Sequence, residues 1–268
     1  MNTDLNTLKN SRGITLVEVL VGIIIGSILL AAGYKSFIAQ QTALEGAGDE
    51  ALIRSKGRLA VKLLAKELRR IGYGVPPNSQ IVSINSSSII YRAALSDLQT
   101  TIPPGEPGTN GASSGDTSVN VVSADGFADL NNIVIYDPST GEYEFNHIEG
   151  DPVTVGSPQT LPLGDPLTKN FTFGTNSKYL RVNPYNQITI SLSGTNIEKI
   201  VDGSTQVYVD NVAASTGLVL EYFDASGNAT NIISDIQKIS VTLNMIDPDN
   251  ERAFIQFKTD VSLRNIST

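Results

Sequence analysis

Glu18 is the single charged residue in the apolar run between Gly13 and Tyr34. An unpaired carboxylate inside a bilayer costs about 2.5–3.5 kcal/mol on insertion scales, so such a residue usually has a partner. The nearest cations in the sequence are Arg12 and Lys35, at the two ends of the run. No cation lies within the run itself, so a charged partner for this carboxylate must come from outside it. The alternative is that Glu18 lies near the membrane interface, stabilised by the positive end of its own helix dipole.

Two other groups of residues suggest chemistry less strongly. The alternating acids Asp247, Asp249 and Glu251 have the spacing of half a calcium loop, but the central glycine and the distant bidentate glutamate are missing. A hairpin turn rich in Asp, Pro and Asn explains the same residues. The only histidine, His147, lies in a predicted strand without a recognisable nucleophile motif, which favours a structural role. We therefore predict no catalytic residue, no metal site and no cofactor.

Composition excludes several functional classes and shows an uneven charge. The chain has 268 residues, no cysteine and one histidine, so a disulfide framework, a thiolate metal site and a multi-histidine zinc site are excluded. The net charge is −8, which disfavours bulk attraction to nucleic acid or anionic lipid. However, residues 54–70 contain seven Lys/Arg against one acid, whereas residues 71–268 contain nine Lys/Arg against twenty-one Asp/Glu.

Five cations in the basic segment are each four residues apart and form a basic ladder: Arg54, Arg58, Lys62, Lys66 and Arg70. Like charges at this spacing oppose helix formation by about 0.2–0.5 kcal/mol per pair. Acidic partner subunits, anionic lipid headgroups or DNA would offset this repulsion. The ladder is equally compatible with a solvated helix face whose charges are screened by salt. Among these partners we favour acidic pilin subunits and disfavour nucleic acid.

The N-terminal elements follow from hydropathy and period. Residues 14–34 are long and apolar enough for a helix that crosses a membrane. No proline occurs before Pro76, and residues 35–73 continue as an amphipathic helix that ends near the Gly72–Pro77 segment. The predicted buried stripe of this helix consists of Ile53, Ala60, Leu64, Leu68 and Ile71.

The rest of the chain, residues 74–268, reads as a β-rich head with a period of two. Strands are predicted at "SIIYR", "TSVNVV", "NNIVIYD", "QITISL" and "GLVLEYF". A long hairpin is predicted over residues 236–264, where apolar residues alternate on both arms. Residues 96–117 are rich in Gly, Pro and Ser and are predicted to form a surface loop. The fold class is therefore α+β, with a long N-terminal helix packed on an antiparallel head.

The N-terminal motif resembles that of type IV prepilins. A short leader, residues 1–13, ends in Gly13; the apolar Ile14 follows, and Glu18 is fifth in the mature chain. The resemblance implies cleavage between Gly13 and Ile14 by a prepilin peptidase, and N-methylation of Ile14 by the same enzyme class. Cleavage would create a charged α-amino group on Ile14. Glu18 would pair with this amine on an adjacent subunit, and the pairing would set the axial position of one subunit relative to the next. Gly22 and Gly26 form a G-x-x-x-G that would let another helix approach closely, although glycine is also common in membrane helices.

Residues 57–74 and the C-terminal "FKTDVSLRN" are similar to segments of PilW-like minor pilins. This resemblance implies a non-enzymatic structural subunit that primes or caps pilus assembly at the bacterial inner membrane. Its implied partners are other minor and major pilins, the inner-membrane assembly platform and, before assembly, the lipid bilayer. The positive leader predicts a head in the periplasm, and on the pilus surface after assembly.

Two alternative functions share these features. A type II secretion pseudopilin has the same kind of N-terminal apolar helix with its glutamate, and a similar arrangement of a helix followed by a β-rich head. A pilus-tip binding module, either an adhesin or a DNA-uptake receptor, would use the part of the head between residues 75 and 230, where no motif is apparent.

Overall fold

The computed structural model describes residues 15–106, 108–173, 179–247 and 250–265. Side chains at 247 and 250–254 are outside this description. The leader, Gly13 and Ile14 therefore lie outside the described residues, as do the side chains of Asp247, Asp249 and Glu251. The chain divides between Leu52 and Ile53 into two compact units.

Helix α1 spans Leu16–Leu68, and the predicted long helix is confirmed. Thr15 caps its N-terminus, and no proline interrupts it. The helix ends slightly before the predicted stop, because Gly72 and Gly74 adopt positive φ angles of 81° and 74° in the turn that follows. In the described part of the chain, α1 is the one helix long and apolar enough to cross a membrane.

The predicted antiparallel β-rich head is also confirmed. It contains a five-stranded sheet of order β1-β2-β11-β12-β13 and a three-stranded sheet of order β14-β15-β16. The strands of these two sheets are β1 (Ile81–Ile84), β2 (Ser88–Ala93), β11 (Asn186–Ser193), β12 (Asn196–Val201), β13 (Ser204–Val209), β14 (Leu218–Phe223), β15 (Lys238–Asp247) and β16 (Asn250–Ser262). A short 3₁₀ helix, Ile233–Asp235, precedes β15.

The C-terminal part of α1 and these two sheets enclose the first hydrophobic core. The whole predicted stripe, from Ile53 to Ile71, is buried in this core, which confirms the period of the helix. The inward residues of β15 are Ile239, Val241, Leu243 and Met245, and all are fully buried. Gly57 faces β16 so closely that a Cβ built on it would overlap the Phe257 ring.

Residues 94–185 form a separate β-structure, which we call the insert. Its ends are held side by side, because β2 and β11 pair directly, with Ala93 opposite Asn186. Its sheets have the orders β3-β10-β6-β7, β4-β9 and β5-β8. The strands are β3 (Thr100–Ile102), β4 (Asn110–Ala112), β5 (Ser118–Val121), β6 (Asn132–Tyr136), β7 (Tyr143–His147), β8 (Gln159–Pro162), β9 (Phe171–Thr172) and β10 (Leu180–Pro184).

The insert has its own hydrophobic core, formed by residues between Ile102 and Val182. The prediction that residues 96–117 form only a surface loop was wrong. Strands β3 and β4 lie within this segment, and Ile102 and Ala112 are buried. The physical reason is tertiary pairing, because β3 pairs with β10 and β4 pairs with β9. These distant strands impose regular structure on a segment whose local composition favours turns.

Polar contacts fix the insert to the five-stranded sheet. Asp202, which follows β12 at a φ of 47°, accepts hydrogen bonds from Asn132 Nδ2 at 3.2 Å and from Asn186 Nδ2 at 2.6 Å. The Arg92 guanidinium on β2 lies 4.2 Å from the centre of the Phe145 ring on β7. Asp202 and Arg92 belong to the five-stranded sheet, and Asn132 and Phe145 belong to the insert. These contacts therefore fix the position of the insert against that sheet.

Candidate functional site

Glu18 lies in the first turn of α1 and completes a capping box with Thr15. The Glu18 Oε2 atom accepts hydrogen bonds from the backbone N–H and the hydroxyl of Thr15, both at 3.0 Å, and Glu18 N donates to Thr15 Oγ1 at 3.3 Å. The carboxylate thus has a local partner that is not a cation. The S/T-x-x-E signature of a capping box is present at residues 15–18, so this contact could have been predicted from the sequence. Pairing with an α-amino group remains a prediction, because Ile14 lies outside the described residues.

The apolar half of α1 is exposed on all sides. The exposed large side chains between Leu16 and Ile38 are Leu16, Val17, Val19, Leu20, Val21, Ile23, Ile24, Ile25, Ile28, Leu29, Leu30, Tyr34, Phe37 and Ile38. An apolar surface of this extent on a helix requires lipid or other apolar helices around it. A Cβ built on Gly22 or Gly26 meets no other described atom within 4 Å, so the G-x-x-x-G surface is open.

The basic ladder is divided between α1 and the turn after it. Arg54, Arg58, Lys62 and Lys66 are on the helix with exposed side chains. Arg70 lies beyond the last helical residue, half-buried, where its Nη2 donates to the Ala94 carbonyl at 3.1 Å. The predicted row of five is therefore four helical cations and one that binds the start of the insert.

A buried ion pair that sequence reasoning missed joins α1 to the five-stranded sheet. Lys199 Nζ on β12 lies 2.8 Å from Glu67 Oε1, and the two side chains are only 11% and 9% exposed. The Tyr91 hydroxyl donates to the same Glu67 oxygen at 3.2 Å. Tyr208 lies over Lys199, with the ammonium 5.8 Å from the ring centre, and its hydroxyl donates to the Leu63 carbonyl.

Sequence could have indicated the Glu67 side of this pair. Glu67 is the one acid among the cations of residues 54–70, and it lies three residues after Leu64, on the buried side of the helix. A carboxylate on a buried helix face needs a cation or several donors. Burial is the main cause that raises the pKa of the Tyr91 hydroxyl well above its usual value, and the negative charge of Glu67 raises it further.

His147 ends β7, and its ring packs against Gly164, where a Cβ would overlap it. Its Nδ1 is 3.9 Å from the exposed Asp165 carboxylate. Among the described residues no group of three His, Asp or Glu side chains could hold a metal ion.

The comparisons with known proteins bear on the N-terminus alone. Residues 8–34 match the prokaryotic N-terminal methylation motif. No curated protein and no solved structure matches the chain. The motif and the apolar start of α1, which it overlaps, support a type IV pilin-like or pseudopilin-like subunit. Both features are consistent with anchoring in the inner membrane. A motif of this kind implies processing by a prepilin peptidase and assembly with other pilins.

Proposed function

We propose that the chain is a minor pilin of the PilW kind, a structural rather than catalytic subunit that primes or caps a type IV pilus. The observation that carries the proposal is the continuity of one helix. The methylation motif, residues 8–34, includes the exposed apolar start of α1, and the same helix ends packed in the first hydrophobic core. One continuous helix therefore carries both an exposed apolar surface suited to assembly and residues that belong to the core of the head.

Assembly in this proposal requires no catalytic residue. Apolar helices leave the bilayer and pack against one another through small residues such as Gly22 and Gly26. Cleavage between Gly13 and Ile14 exposes the α-amine, which is methylated and pairs with Glu18 of an adjacent subunit. The head resides in the periplasm before assembly and on the fibre surface afterwards.

The capping box makes it possible to test the charge of Glu18 separately from its role at the start of the helix. Glutamine can replace glutamate in a capping box, so Glu18→Gln keeps the helix start but removes the charge, whereas Glu18→Ala removes both. We expect both variants to be processed and retained in the membrane and neither to enter pili, as measured by immunoblots of membrane and sheared-pilus fractions. Normal incorporation of Glu18→Ala would contradict the proposed pairing, and incorporation of Glu18→Gln alone would assign the role of Glu18 to helix capping.

Processing is tested separately by mass spectrometry of the mature N-terminus. The expected product begins with a methylated Ile14. A chain that retains Met1, or one cleaved at another bond, would overturn the assignment to this class of subunit. A pseudopilin would give the same N-terminus, but it would be recovered with secretion components and not with sheared pili.

A further inference from the structure

The helix surface opposite the first core combines cations with exposed leucines. Arg58, Leu59, Lys62, Leu63 and Lys66 lie on one side of α1, because spacings of one, four, five and eight residues fall within about 140° at 3.6 residues per turn. We call these five residues the basic-apolar face. Leu59 is 59% exposed and Leu63 37% exposed. A solvated helix face has no need of leucine, so this composition is typical of a surface that another protein covers.

The insert has the complementary charge. Between Arg92 and Lys169 the sequence contains eleven Asp/Glu and no Lys/Arg. Residues 169–268 contain ten acids and eight cations, so the negative charge of the head is concentrated in the insert. Charge of one sign on one structural unit steers an oppositely charged surface toward it.

Two loops of the insert combine acids with exposed apolar side chains, and we call Asp129, Leu130, Glu149, Asp151 and Val155 the insert tip. The loops are tied together, since Gly150 N donates to Asp129 Oδ1 at 2.8 Å and Leu130 N donates to the Ile148 carbonyl at 2.9 Å. Leu130 is 74% exposed and Val155 85% exposed. Like the basic-apolar face, the tip mixes apolar contact area with charge, but its charge is negative.

We propose that the insert tip of one copy docks on the basic-apolar face of a second copy. Leu59 and Leu63 of the face and Leu130 and Val155 of the tip supply the apolar contact. Arg58, Lys62 and Lys66, which form a row along one side of the two leucines, pair with Asp129, Glu149 and Asp151 of the tip. Apolar contact area beside charged residues is common in protein interfaces. The proposal rests on the proposed function, because it needs copies that stand side by side in a fibre or at its base.

This contact uses two different surfaces of the same molecule. Each copy offers one tip and one face, so every copy that docks leaves a new free tip or face at the end of the series. Heterologous contacts of this kind produce open helical arrays unless the rotation closes a ring.

A second protein copy fits the basic-apolar face better than nucleic acid. Phosphate binding is served by cations and polar groups, and the two leucines would gain nothing from a phosphate backbone. The insert, with no cation between Arg92 and Lys169, would also be repelled by a polyanion near the head.

The absence of cysteine makes a specific cross-linking test possible with the full-length chain in its own membrane. Two differently tagged copies are co-produced, one with Leu59→Cys and the other with Val155→Cys, and they are treated with a short bis-maleimide. We expect a cross-linked species that carries both tags. The matched control replaces Val155→Cys with Ala225→Cys, an exposed position in the turn between β14 and the 3₁₀ helix, and should give none.

Charge reversal then tests the chemistry of the contact. Lys62→Glu with Lys66→Glu on the Leu59→Cys copy should lower the yield about tenfold, because like charges then face each other. Glu149→Lys with Asp151→Lys on the Val155→Cys copy should restore it, which shows that the reversed helix still folds. Equal yields for the Val155 and Ala225 pairs, a yield insensitive to the reversal, or loss of the cross-link on addition of duplex DNA would overturn the proposal. The mature N-terminus is measured on the same samples: a correctly processed chain without the cross-link refutes the docking alone, whereas an unprocessed chain refutes the proposed function.

Discussion

The Glu67–Lys199 pair should be among the most sensitive positions of the head. The substitution Lys199→Met removes the ammonium that lies 2.8 Å from Glu67 Oε1 and leaves a carboxylate that is 9% exposed. Only the Tyr91 hydroxyl then remains as an observed hydrogen-bond donor to that oxygen. Removal of one partner of a buried ion pair costs about 3–5 kcal/mol, because the remaining charge stays desolvated. We expect a loss of this size in the free energy of unfolding.

The measurement is urea unfolding of the full-length chain in detergent, followed by circular dichroism, since the chain has no tryptophan. With an m-value of about 2–3 kcal/mol/M, a loss of about 3 kcal/mol lowers the midpoint by about 1–1.5 M urea. The matched control is Lys258→Met, which breaks the pair with Glu221 at 3.3 Å, where the side chains are 58% and 50% exposed. An exposed pair contributes about 0–1 kcal/mol, so this midpoint should hardly move.

A double variant separates the loss of the pair from damage to packing. Glu67→Leu with Lys199→Met replaces both charges by apolar groups, and a buried pair replaced in this way is often neutral or stabilising. We expect the double variant to regain most of the stability that Lys199→Met loses. The reasoning would be refuted if Lys199→Met unfolded at the same urea concentration as Lys258→Met, or if the double variant were as unstable as the single one.

Three further predictions concern packing, pH and the position of the insert. Gly57→Val should lower the unfolding midpoint markedly, because the new side chain must displace the Phe257 ring, whereas Gly46→Val at an open helical position should not. The free energy of unfolding should fall above about pH 10, where the tyrosines of the unfolded chain ionise. The cause is burial, which raises the pKa of Tyr91 and keeps its proton bound in the folded state. Unfolding curves at pH 8 and pH 11 measure this fall. Asp202→Ala removes the acceptor that joins the insert to β11 and should speed protease cleavage near the insert ends.

Local patterns predicted the elements that depend on local periodicity. The long helix, its buried stripe from Ile53 to Ile71 and the β15–β16 hairpin are confirmed, because apolar spacing of 3.6 or 2 residues is visible within one segment. The strands at "SIIYR" and "NNIVIYD" are confirmed for the same reason. The Thr15 cap of Glu18 is equally local, since the hydroxyl and the carboxylate that form it are three residues apart in the sequence.

The features that sequence did not predict depend on pairing between distant segments. The separation of the head into two cores follows from the pairing of β2 with β11, which lie on either side of the whole insert. Strands β3 and β4 form because β10 and β9 pair with them, not because of their own composition. The partner of Glu67 could not be read from the helix, since several lysines were available and only the β12 register selects Lys199.

The position of the insert makes the head modular. Since Ala93 and Asn186 face each other across neighbouring strands, the sheet beneath is complete whether a long or a short connection joins them. Closing a short connection costs little chain entropy compared with a long one, so a tight turn could replace all of residues 94–185 at this point. The helix that carries the methylation motif and the insert are thus encoded by separate stretches of the chain. An insert of another length or sequence could therefore be joined at this point without a change in α1 or in the first core, although the docking surface that the insert tip supplies would change with it.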